Sequence, residues 1–165
     1  MKTKAAYLGV FTALALIFSY IETLLPLHPG IPGAKLGVAN LVVIVALYKM
    51  GEREALAVSA SRIVLAGFLF GNLVSILYSL AGGMLSFAVM AFARKRDIFS
   101  VYGVSMAGGV FHNMGQIAAA VAVLDSYSVT YYIPVLLVIG VFTGTLIGIV
   151  AAGMLKRLAA LDIRI

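Results

Sequence analysis

The chain has 165 residues, of which 63% are hydrophobic and 11% are charged, and its mean hydropathy is +1.12. Soluble domains are about 45–50% apolar and about 25% charged, so this composition excludes a soluble enzyme or nucleic-acid-binding module and indicates a protein whose solvent is lipid. The net charge is +6, and the chain contains no cysteine, which excludes disulfides, thiolate metal sites and cysteine nucleophiles.

Six apolar stretches follow one another along the chain, separated by short polar breaks. Each is predicted to be a transmembrane helix, although the second is short for a span of about 20 residues. The first is expected to be a retained helix, because its apolar run is too long for a signal peptide. The sequence therefore predicts one all-α integral membrane domain over residues 1–165, a six-helix transmembrane bundle with spans at about 5–25, 36–48, 54–70, 72–93, 98–124 and 131–155.

The basic residues indicate the orientation of these spans. Ten of the twelve Lys and Arg residues precede span one, separate spans two and three or four and five, or follow span six. Cytoplasmic loops are enriched in Lys and Arg, so both termini are predicted to be cytoplasmic. The positive net charge is then a topology signal that requires no polyanionic partner such as a nucleic acid. The two remaining basic residues are Lys35 and Arg62.

Several polar side chains fall inside the predicted spans, where they are costly in lipid. With the orientation above, Arg62 lies near the middle of span three and the others lie at mid-depth or toward the outer surface. We expect them to line a cavity that opens outward and binds a substrate. One alternative is that they only join helix to helix. Another is a buried ion pair between Glu22 and Arg62. The candidate substrate-binding residues are Glu22, Lys35, Asn40, Arg62, Asn72, His112, Asn113 and Gln116.

The charges of the predicted cavity indicate an anionic ligand. Lys35 and Arg62 outnumber Glu22, so the site is neutral to positive. A guanidinium binds carboxylate or phosphate in bidentate fashion, which suits Arg62 as a clamp and Lys35 as a point charge at the mouth.

Small residues predict close helix packing at two places. Ala5, Gly9 and Ala13 form a ladder on one face of span one, suited to packing within the bundle or to docking a second membrane protein. Residues 79–85 (SLAGGML) and 105–111 (SMAGGVF) repeat a glycine pair in spans four and five. We expect this repeat to mark a close crossing of the two spans.

The residues needed for common chemistries are missing. The six acidic residues are scattered, with no aspartate-rich cluster, no Ser-His-Asp set and no nucleotide-binding loop. The sequence therefore predicts a protein that is not an enzyme and that holds no metal or cofactor.

Four segments carry a resemblance to a known family: residues 33–40 (GAKLGVAN), 61–62 (SR), 77–83 (LYSLAGG) and 109–116 (GVFHNMGQ). They resemble the bacterial Gx transporter family, also labelled heptaprenyl diphosphate synthase component I. More distantly, the chain resembles the substrate-binding S components of energy-coupling factor (ECF) transporters. This resemblance implies a ligand-binding subunit in the bacterial cytoplasmic membrane, energised by a coupling protein with ATPases. In the resemblance to S components, Ala5, Gly9 and Ala13 match the docking face.

Two function hypotheses follow. The first is an S-component-like subunit of an ECF-type importer that captures a small anionic or amphipathic solute. The second is a non-catalytic membrane accessory subunit of a prenyl diphosphate synthase in an isoprenoid or quinone pathway. Prenyl chain elongation uses magnesium held by aspartates, which this chain lacks, so a catalytic subunit is excluded. A purely structural scaffold is a third reading.

Overall fold

A computed structural model describes residues 2–24, 37–97 and 99–160. These residues form six α-helices and no strand, as the sequence predicts. The helices are α1 (Lys2–Leu24), α2 (Val38–Lys49), α3 (Glu52–Phe70), α4 (Leu73–Lys95), α5 (Val101–Leu124) and α6 (Ile133–Ala160).

One element is absent from the sequence-based description. A 3₁₀ segment, Tyr127–Tyr132, connects α5 to α6, so α6 begins two residues later than predicted and continues to Ala160. Ser126 starts this segment by accepting a hydrogen bond from the Ser128 N–H. Such local side-chain bonds favour short turns over a continuous helix.

Four segments are long and apolar enough to cross a membrane, namely α1, α4, α5 and the 3₁₀ segment continued into α6. Large apolar side chains on their outer surfaces are exposed, such as Phe142 and Leu77. An exposed apolar surface of this extent is stable in lipid and not in water. The protein is therefore a helical membrane protein.

Helices α2 and α3 differ from the other four. At about 1.5 Å per residue, the 12 residues of α2 extend about 18 Å, against about 30 Å for the hydrocarbon core. Helix α3 has 19 residues but is less apolar, because it carries Glu52, Arg53, Glu54 and Arg62. Helix α2 therefore depends on burial within the bundle, whereas α3 keeps exposed apolar side chains such as Phe68 and Leu69.

Helix α2 lies among the other helices. It packs against α1, α3 and α6, while contacts between α3 and α4, α4 and α5, and α5 and α6 complete the bundle. Its residues 41–47 (LVVIVAL) are all buried, and all of them except Val42 form a core with Phe87, Met90 and Val104 from α4 and α5. A helix that is apolar on every side is typical of such a core position.

Glycines allow α4, α5 and α6 to approach closely. A Cβ on Gly82 would lie 2.7 Å from the His112 carbonyl oxygen, and a Cβ on Gly108 would lie 2.5 Å from the Met90 sulfur. These contacts confirm the predicted crossing of α4 and α5. The second glycine of each pair faces another neighbour, since Gly83 packs on Ile63 of α3 and Gly109 on α6. Helix α6 carries Gly140, Gly144 and Gly148, spaced four residues apart, along its contact with α5.

Candidate ligand-binding cavity

A cavity of about 380 Å³ lies between the helices, within the range of about 300–1,000 Å³ that is typical of ligand pockets. All six helices contribute to its wall. Thr23, Phe70 and Gly71 lie where α1 and α3 end, so the cavity extends toward the end of the bundle opposite the Lys49–Glu52 turn.

The cavity brings together five of the eight side chains that the sequence singles out: Glu22, Asn40, Arg62, His112 and Asn113. Lys35 lies outside the described residues. Their convergence from α1, α2, α3 and α5 agrees with the predicted cavity, while their role in binding stays a prediction.

Asn72 and Gln116 do not line the cavity. The Asn72 side chain accepts a hydrogen bond from the Ser75 N–H at 2.8 Å, and Ser75 Oγ accepts one from the Asn72 N–H at 3.0 Å. Asn72 therefore caps the start of α4. Gln116 is buried one helical turn beyond His112, where its side chain packs on Gly82. Both residues therefore lie outside the wall of this cavity, and their predicted part in binding stays a prediction.

Among the described residues, Arg62 brings a positive charge to the cavity wall. It is the eleventh residue of α3, and its Nε is buried without a hydrogen-bond partner among the residues that the structure describes. A buried donor that lacks a partner costs about 1–3 kcal/mol, and more when it is charged. The Nε donor of Arg62 is therefore positioned to bind a group that the described residues do not provide.

Glu22 has a definite structural contact. Its Oε1 accepts a hydrogen bond of 2.7 Å from the Val38 N–H, the first amide of α2. Gly37, which precedes Val38, has a φ of 72°, a conformation that favours glycine. Glu22 thus joins the end of α1 to the start of α2 and places its negative charge where the helix dipole favours one.

Glu22 and Arg62 attract each other electrostatically. In the described part of the chain, no ion pair within 4.0 Å joins Glu22 to Arg62. The ion pair found there joins Lys4 to Glu54, at 3.7 Å. The described geometry therefore differs from the direct Glu22–Arg62 pair considered from the sequence.

Asn113 fixes one side of the wall. This buried side chain donates a hydrogen bond of 2.7 Å from Nδ2 to the Leu136 carbonyl oxygen, joining α5 to α6. The bond sets the orientation of the amide and leaves Oδ1 as its acceptor atom. His112 precedes it on α5 and also lines the cavity.

Sequence reasoning missed the hydroxyl groups of the wall. The pairs Ser19 and Thr23 on α1, and Ser75 and Ser79 on α4, lie four residues apart and therefore share a helical face. This spacing was the available signal, but a Ser or Thr in a membrane helix often bonds its own backbone, as Thr143 does to Ile139 at 2.9 Å. The six hydroxyl side chains of the cavity wall are Ser19, Thr23, Ser75, Ser79, Ser105 and Thr143.

Two of these hydroxyls resemble Arg62 Nε in being buried without a hydrogen-bond partner among the described residues. Ser19 Oγ and Ser105 Oγ are buried and find no hydrogen-bond partner among the described residues. Ser19, Arg62 and Ser105 come from three different helices and converge on one cavity. Buried polar groups without a partner are rare in folded proteins, and such groups usually form hydrogen bonds to water or to a ligand.

Within the described ranges, no three His, Cys, Asp or Glu side chains lie close enough together to hold a metal ion. The wall instead offers hydrogen-bond donors and acceptors and one guanidinium.

The fold and the cavity together define a class, the helical membrane proteins with a cavity between their helices that both polar and apolar side chains line. Within this class the chain belongs to the family described as heptaprenyl diphosphate synthase component I, whose model matches residues 11–154. This match confirms the family named by the sequence resemblance. Searches of curated proteins and of solved structures gave no match.

Proposed function

We propose that the protein is a solute-binding membrane subunit of an ECF-type importer, which captures a small anionic solute in the cavity. The observation that carries this proposal is the convergence of Arg62 Nε, Ser19 Oγ and Ser105 Oγ, all buried and unpaired within the described residues, on one cavity. A bundle that used Arg62 only for stability would be expected to satisfy its guanidinium internally.

The surface of α1 supports a docking role. Ala5, Gly9 and Ala13 are exposed, and a Cβ built on Gly9 would meet no atom within 4 Å. The ladder is therefore not used for packing within the bundle. A small-residue face in lipid allows a partner helix to approach closely, which suits a coupling protein that works with ATPases.

The basic residues support an orientation for this subunit. Lys49, Arg53, Arg94, Lys95 and Arg96 lie at one end of the bundle, where α2 and α4 end and α3 begins. With this end in the cytoplasm of a bacterial inner membrane, both termini are cytoplasmic and the cavity lies on the outer side.

The family description favours a second candidate. It names a component of heptaprenyl diphosphate synthase, so a membrane accessory subunit that recruits a soluble prenyl synthase is the alternative. The described residues include no acidic cluster that could hold magnesium, which supports a non-catalytic part in such an enzyme.

Co-purification and native mass spectrometry test both candidates. The protein is extracted gently from its native membrane, and bound solutes and partner chains are identified by mass. A coupling protein, ATPases and a polar solute support the importer subunit, whereas a prenyl synthase supports the accessory subunit.

A matched pair of variants ties the solute to the cavity. We expect Arg62→Gln to lose the bound solute, because the guanidinium is its anion partner. Arg53→Gln is the control, since Arg53 is exposed at the opposite end of the bundle and should retain the solute. Retention of the solute by Arg62→Gln in a folded protein contradicts the assignment.

A further inference from the structure

The 3₁₀ segment between α5 and α6 carries three tyrosines on its surface. Tyr127 and Tyr131 are 80% and 86% exposed, and Tyr132 is 42% exposed. We propose that these tyrosines anchor the protein at the membrane interface, by placing this end of the bundle in the head-group layer of the bilayer. The partner is the lipid surface itself, so the anchor depends neither on the solute of the cavity nor on the orientation of the bundle.

The backbone that carries the tyrosines is bonded locally. Asp125 ends α5 with a φ of 45°, and Ser126 then accepts a hydrogen bond from the Ser128 N–H. The Thr130 hydroxyl donates a hydrogen bond of 2.7 Å to the Tyr127 carbonyl oxygen. The segment also packs against both α5 and α6. The exposed rings therefore belong to a turn that is fixed to two membrane helices.

The chemistry around the tyrosines matches the boundary between lipid and water. Tyrosine is enriched at this level of membrane proteins, because its ring is apolar and its hydroxyl group is polar. Exposed apolar side chains adjoin the segment on both sides, at Leu124 and Val135, so the tyrosines continue the lipid-facing surface of the bundle. Residues 126–155 contain no Lys, Arg, Asp or Glu. A charged protein surface would therefore find no ion-pair partner here, whereas zwitterionic head groups need none.

The lengths of the two flanking helices agree with this placement. Helix α5 begins at the basic end of the bundle, shortly after Arg96, and rises about 33 Å from Tyr102 to Leu124. Helix α6 returns about 35 Å from Ile133 to Lys156. Both lengths lie between the hydrocarbon core, about 30 Å thick, and the bilayer with its head groups, about 40–45 Å. With the basic end at one interface, the tyrosines therefore reach the other.

The basic end is anchored by a different combination of residues. The Arg94 guanidinium lies 5.1 Å from the centre of the Tyr48 ring, and that of Arg96 lies 5.6 Å from the centre of the Phe92 ring. Pairs of basic and aromatic side chains suit an interface with anionic lipid. The tyrosine end has no such basic residues, so its hold on the membrane depends on the phenol rings.

Tryptophan fluorescence measures the depth of the segment directly, because the chain contains no tryptophan. Tyr131→Trp places a single indole in the segment, at an exposed position where no buried contact is lost. Phe142→Trp is the matched control, since Phe142 is 64% exposed and lies well inside α6. Each full-length variant is reconstituted in phosphatidylcholine vesicles whose lipid carries bromine either near the head group or near the end of the acyl chain. Iodide is the quencher in the water phase.

We expect Tyr131→Trp to lose more emission to the shallow bromine than to the deep bromine, and to be quenched in part by iodide. Phe142→Trp should show the reverse order of bromine quenching and no quenching by iodide. Quenching of Tyr131→Trp by iodide alone would place the segment in water and overturn the inference. Protection from both quenchers would mean that another protein covers the tyrosines, which overturns it as well. The same depth profile for both variants would place the segment in the hydrocarbon core and also contradict the anchor.

Discussion

The polar residues of this bundle serve two different purposes. Asn72, Asn113 and Ser86 bond backbone atoms, and Ser86 does so by donating to the Gly108 carbonyl oxygen at 2.8 Å. Arg62, Ser19 and Ser105 instead bring unpaired polar atoms to the cavity wall, as judged within the described residues. The cost of polar groups in lipid identified Asn72, Asn113 and Arg62 from the sequence, but not the three serines.

Sequence alone could not separate these two purposes. Asn72 becomes a cap because α4 begins directly after it, and a shift of that boundary by one turn would give the side chain another role. Ser19 and Ser105 look like ordinary membrane serines until the helices around them are in place. Residue type therefore predicted the five charged, histidine or asparagine side chains of the cavity wall, and it missed the hydroxyl groups of the wall.

The substitution Asn72→Ala separates a cap from a ligand contact. We expect it to lower the free energy of unfolding by about 1 kcal/mol, the usual value of an N-cap, and to leave solute binding unchanged. Thermal unfolding in detergent and native mass spectrometry measure the two effects. Loss of the solute with unchanged stability would return Asn72 to the binding site.

At the level of the helices, the apolar runs and their breaks were sufficient to predict six helices and the crossing of α4 and α5. They could not predict which face of α6 packs inward, because glycines recur throughout that helix. The structure assigns Gly140, Gly144 and Gly148 to the contact with α5, and it leaves Gly153 with open space around it. The position of the neighbouring backbone determines which of these glycines lie in a close contact, and the sequence does not show that position.

The pair Gly144→Ala and Gly153→Ala tests this assignment within one helix. A Cβ on Gly144 would lie 2.7 Å from the Ser105 carbonyl oxygen, so we expect destabilisation of about 1–3 kcal/mol. Gly153→Ala meets no atom within 4 Å and should be neutral or stabilising by up to about 1 kcal/mol. Equal unfolding temperatures for the two variants would contradict the close approach of α5 and α6.

At the scale of the whole molecule, composition predicted the lipid environment, and the charged residues predicted which end faces the cytoplasm. The arrangement of the helices could not be predicted from the sequence. Nearly every face of every helix is apolar, so hydrophobic periodicity does not show which face packs inward. The central position of α2 shows this well. The sequence predicted it as a short transmembrane span, and the structure shows it buried among the other helices.

The orientation can be measured directly, since the chain contains no cysteine. Single variants Ser128→Cys and Lys95→Cys place a thiol at exposed positions near opposite ends of the bundle. We expect a membrane-impermeant maleimide to label Ser128→Cys in intact cells, and Lys95→Cys only after permeabilisation. The reverse pattern would place the cavity on the cytoplasmic side.

The buried α2 has a consequence for the energetics of the membrane. Its seven consecutive buried residues, with Met90 and Val104 against them, form a dry layer between the cavity and the basic end of the bundle. Ions do not cross such a layer, because dehydration in an apolar medium is costly. We therefore expect the bundle to contain its cavity without offering ions a conducting path to the basic end.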